Sequence, residues 1–150
     1  TRIGGRYSSV FGTEMLRDTM ISGRKSEIFH FEIESFSVST EVKFLYHIGR
    51  ITADSGIQVE NGIESLQDFI KIINYYKDDM DMITYKKMLC DSNLNLAKNL
   101  VHNRELPEAE RMLREIYFEA IELDSHKNKY YRTEMDKILA DIFKYRFTNE

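Results

Sequence analysis

The stretch NLAKNLVHNRELPEAERMLREIYFEAIEL, residues 95–123, decides how the rest of the chain is read. Two apolar, helix-favouring runs meet there at a short polar bend around residues 103–107, which carries the only proline of the 150-residue sequence. Pro107 suits the first turn of a helix, where a missing N–H removes no intrahelical bond. Glu108 and Glu110 then sit near the positive end of the helix dipole. The stretch therefore predicts two antiparallel helices joined by a tight turn, and raises the question of whether the hairpin recurs.

Outward from it, helical periodicity extends over most of the chain. From Glu41 onward apolar residues return every three or four positions, as in Ile63, Leu66, Phe69, Ile70 and Ile73. Leu89, Asn93, Leu96 and Leu100 form the next stripe, which runs to about His102. Met112, Leu113, Ile116, Phe118 to Ile121 and Leu123 mark the following helix, and Ile138, Leu139, Ile142, Phe143 and Phe147 the last. Turn-formers and charges cluster at 54–61 (with Gly56), 77–81, 103–107 and 124–128, where breaks are expected. Residues 1–40 read differently. Phe29, Phe31 and Ile33 alternate with His30, Glu32 and Glu34 as in a strand, which competes with a helical reading and with a strand pair made with residues near Val10. The expected organisation is an N-terminal segment, 1–40, followed by an all-α domain, 41–150.

Self-similarity answers the question of recurrence. Ile48 and Gly49 align with Leu96 and Ala97 at an offset of 48 residues; Gly62, Leu66 and Phe69 align with Ala109, Leu113 and Ile116 at 47. Small residues suit the close crossing of two antiparallel helices, with large apolar ones filling the space on either side. This pattern resembles the tetratricopeptide repeat, with the large-small pairs on first helices and Gly62 or Ala109 on second helices. The usual unit of that family is about 34 residues, so the longer spacing implies longer helices or joins, chiefly around residues 77–84. Longer repeats of this kind look like the peptide-sensing domains of bacterial cytoplasmic regulators. The resemblance implies stacked hairpins whose first helices line a groove. Carried over by position, that groove presents Lys43, Tyr46, His47 and Arg50 from one repeat and Asn95, Lys98 and His102 from the next. Amides pair with a peptide backbone, and Lys or Arg with carboxylates; the competing reading makes Lys43, Arg50 and Lys98 solvated faces of amphipathic helices.

Composition limits the alternatives. A formal net charge of −4 argues against direct binding of nucleic acid or an anionic membrane by this segment. No apolar run approaches the roughly 18 residues of a membrane span, and no basic-then-apolar leader opens the chain. Thr1 at the start fits a fragment or a processed chain. The single cysteine, Cys90, leaves no internal disulfide framework and fits the cytoplasm. His30, His47, His102 and His126 lack helical ligand spacing, so neither a metal nor a cofactor is expected. Glu32, Glu34, Glu41 and Lys43 distantly resemble the acidic residues and lysine of metal-dependent nucleases, a third reading. The glycines of "GGR" lack the context of a phosphate loop. The Tyr pairs of "NYYKDD" and "KYYRTE" are expected to bury one ring each rather than to stack bases. The amphipathic last helix needs a cover, from the preceding hairpin or from a second copy in a homodimer. The leading expectation is a non-catalytic interaction module that binds a peptide or partner-protein segment as part of a regulator or sensor; the alternative is a structural subunit or adaptor.

Overall fold

The structure, a computed structural model, describes residues 40–148. Within them lie α1 (Thr40–Ser55), α2 (Val59–Tyr75), a 3-10 turn (Lys77–Asp79), α3 (Met82–His102), α4 (Leu106–Leu123) and α5 (Tyr130–Thr148), with no strand among the described residues. The strand, helix and strand-pair readings of 1–40 fall outside the described residues, as does the glycine-rich start.

Several helix ends have an identifiable chemical cause. Gly56 closes α1 in the left-handed region (φ 72) and donates its N–H to Thr52 O at 2.8 Å. Asp81 caps α3, its carboxylate accepting from the backbone N–H groups of Ile83 and Thr84 at 3.1 and 3.2 Å. Pro107 lies in the first turn of α4, as its position in the sequence predicts. After α3 the left-handed position falls on Arg104 (φ 63) rather than on a glycine. Its guanidinium lies 3.7 Å from the centre of the Tyr145 ring of α5 and donates to Val101 O at 3.1 Å. Asp124 joins α4 to α5, accepting from the N–H groups of Tyr131 and Arg132, both at 3.0 Å.

Helix α3 is the centre of the packing. It lies against α1, α2, α4 and α5, while α1 also packs on α2 and α4 on α5. Every position of the aligned pattern is buried: Ile48, Gly49, Gly62, Leu66 and Phe69 in the first hairpin, and Leu96, Ala97, Ala109, Leu113 and Ile116 in the second. The glycines are required by close approach. A methyl group on Gly49 would stand 2.1 Å from Leu66 Cγ, and one on Gly62 would stand 1.8 Å from Thr52 Oγ1. Burying a side chain such as Leu66 contributes about 1.5–3 kcal/mol, and the missing Cβ atoms are what let the helices come near enough to do so.

Candidate functional site

The face of α3 turned toward α1 and α5 gathers most of the residues singled out in the sequence. Asn95 donates to the Tyr46 hydroxyl at 3.4 Å and to Asp91 O at 2.9 Å; Asn99 reaches across to Gly49 O at 3.0 Å and also bonds Asn95 O at 3.1 Å. His102 Nε2 lies 2.9 Å from Ala53 O, and since a carbonyl only accepts, that nitrogen carries the proton. Lys98 Nζ pairs with Glu134 of α5 at 3.2 Å, and Arg50 with Asp54 at 3.8 Å. Residues four turns or more apart in sequence thus meet in one polar layer.

The layer differs from the open groove wall that the sequence suggests. Tyr46, His47, Arg50 and Asn95 are buried, Lys43 and Lys98 are half-buried, and His102 is exposed. The structural reason is visible in part: Tyr46 packs its ring on Phe69 of α2 and on His47, and Asn95 spends its amide on contacts within the fold. Lys98 and His102 remain accessible. With Asp54, Glu134, Lys137 and Asp141 they line a cleft of about 340 Å³ at the end of the layer.

Asp91, Asn99, Tyr131 and Glu134 escaped sequence reasoning. Asp91 was legible in principle, because it precedes Asn95 by one helical turn and shares its face. The α5 residues were not, since no periodicity within α5 tells which helix it will meet. Asp91 is fully buried and dominates the charge of the layer. Burial first, and then the Asp91 carboxylate, push the Tyr46 and Tyr131 phenols well above their usual range, and burial followed by Glu134 does the same to Tyr130. Burial and then Asp91 also raise the Cys90 thiol. Burial alone would raise the Glu134 carboxyl, but Lys98 and Lys137 more than offset it and hold it below the usual carboxylate range.

The opposite face of α3 forms a second concavity, between α2 and α4, of about 600 Å³. Leu89, Asn93, Leu96 and Leu100, the stripe read in the sequence, make its floor. Of the tyrosine pairs, Tyr130–Tyr131 buries one ring as expected, whereas both Tyr75 and Tyr76 are exposed, at 80% and 42%. Glu32 and Glu34, on which the nuclease reading rests, lie outside the described residues. Among the described residues no group of three or more His, Cys, Asp or Glu converges as a metal site, and no helix is long and apolar enough to cross a membrane. The chain matches no family model, no curated protein and no solved structure.

Proposed function

We propose that the chain is a non-catalytic interaction module of stacked helical hairpins, part of a cytoplasmic regulator or sensor, which takes a peptide or partner segment at the face shared by α1, α3 and α5. The observation that carries this reading is the polar layer itself. A helical bundle held together for stability alone fills such an interface with apolar side chains; burying Arg50, Asp91 and Asn95 there opposes folding unless each is paired. Recognition of a polar ligand is a reason to keep them. The side-by-side placement of α1 and α3, tied by Asn95 to Tyr46 and by Asn99 to Gly49, is also what first helices of consecutive repeats would adopt. Support for binding over catalysis comes from protonation. The Cys90 thiol and the three phenols are all held in their neutral forms, which makes them poor nucleophiles and bases near neutrality.

A second reading, a permanent subunit of an assembly or a homodimer, is favoured by one feature. Leu139, Phe143 and Phe147 form an apolar stripe on α5, exposed at 39%, 62% and 74%, with the two phenylalanine rings stacked. Light scattering on the purified chain, with mass spectrometry of peptides retained from a pool of short cellular peptides, separates the two. A retained peptide that is lost on Lys98→Ala is the expected result. A stable oligomer that retains no peptide would replace this reading with the subunit one.

A further inference from the structure

The groove on the other side of α3 carries a separate inference, independent of the function proposed above. It follows α3 from Tyr85 to Leu100, about 22 Å at 1.5 Å per residue. Its volume, about 600 Å³, falls in the range of sites that bind small molecules or peptide side chains. The hydroxyl of Tyr85 donates to Asn74 of α2 at 2.5 Å across one end. The floor is apolar except for Asn93. That residue is only 4% exposed, faces the groove, and makes no hydrogen bond to another described residue. The amide opens into the groove at the middle of an otherwise apolar stripe of leucines.

The amide also limits what can occupy the groove. A carboxamide offers a donor and an acceptor in one plane, the complement of the N–H and C=O groups that an extended chain presents along its edge. An α-helix satisfies those groups internally and shows the groove none. The walls restrict charge. Lys71 stands on the α2 side, and on the α4 side Arg111 is held between Glu108 and Glu115. Small opposite charges on the two rims leave little net field over the floor, so an uncharged stretch is preferred there.

We propose that this groove binds an extended, uncharged segment of a partner protein. At about 3.3 Å per residue the floor accommodates roughly six or seven residues. Alternate apolar side chains rest on Leu89, Leu96 and Leu100, and the backbone between them pairs with the Asn93 amide.

The test is selection of a displayed library of random seven-residue segments on the whole chain, followed by titration of the selected peptides. Apolar residues at alternate positions are expected, with side-chain amide resonances of Asn93 shifting on binding. Asn93→Leu should weaken binding at least tenfold while leaving the fold intact, because the amide makes no hydrogen bond within the described residues and the neighbouring floor is already leucine. Methylation of the peptide's central backbone nitrogen should weaken it similarly. A pool in which no peptide loses tenfold on Asn93→Leu overturns the proposal, as does a helical three-and-four spacing among the selected residues. Shifts confined to Lys98 and His102 would place the peptide on the opposite face, and would likewise overturn it.

Discussion

Two glycines and one carboxylate show how single residues set the limits of this fold. Gly62 has no room for a methyl group: the Cβ would meet Thr52 Oγ1 at 1.8 Å and Asn99 Oδ1 at 2.8 Å. Thr52 is fixed by its hydroxyl, which lies 3.0 Å from both Ile48 O and Gly49 O, so it cannot swing away without breaking that bond. Gly62→Ala is expected to destabilise the chain by about 1–3 kcal/mol through overpacking, measured by urea unfolding. Glu134 predicts a pH effect. Its folded carboxyl is more acidic than the ordinary value of 4.5, so its contribution to stability is present above that value and is lost as pH falls through the lowered one. Glu134→Gln should therefore lower thermal stability near neutral pH, where the charged carboxylate contributes, and change it little in acid, so that the acid limb flattens. Both glycines were legible from the sequence as small residues at matched positions. The lowered Glu134 was not, because it depends on Lys98 from another helix.

At the scale of elements, the ends of helices divide into those written locally and those imposed by neighbours. Asp81 is local: two backbone N–H groups of α3 depend on one carboxylate. Asp81→Ala should lower stability by about 1 kcal/mol, read from the urea midpoint, with the first turn of α3 losing amide protection. Gly56 and Pro107 belong to the same class, and their breaks fall where the sequence places them. Arg104 belongs to the other. Nothing in the residues 103–107 signals an arginine with φ 63, and the ring of Tyr145 that holds it comes from a helix more than forty residues away. The candidate site divides similarly. Helical spacing alone puts Tyr46, Arg50, Asn95 and Lys98 on matching faces, but spacing says which side of a helix a residue is on and nothing about how deeply that side is covered. Asn93 was hidden for a related reason: it was read as a member of an apolar stripe, and its isolation there became meaningful only once α2 and α4 formed walls around it.

Across the described residues, α3 is the helix that packs against all four others and takes part in both faces. Its inner side is bonded to α1 through Asn99 and Asn95 and to α5 through Lys98. Its outer side is the floor between α2 and α4. The return of apolar residues every three or four positions was enough to anticipate an all-helical packing of the described residues. The seat of α5 against α3 was not, since it depends on Asp124 holding the start of α5 and on ionic and ring contacts between distant segments.

Cys90 turns this central position into a clock. It is the only thiol in the chain, it is fully buried on α3, and burial raises its pKa, so the thiolate that reacts with alkylating reagents is scarce while the helix stays in place. Labelling by iodoacetamide at neutral pH should accordingly run far slower than for a free thiol, and Gly62→Ala should speed it about tenfold for each ~1.4 kcal/mol of lost stability when opening and closing outpace the reagent. A single mass increment, followed over time, then reports what fraction of the time the centre of the molecule stands open.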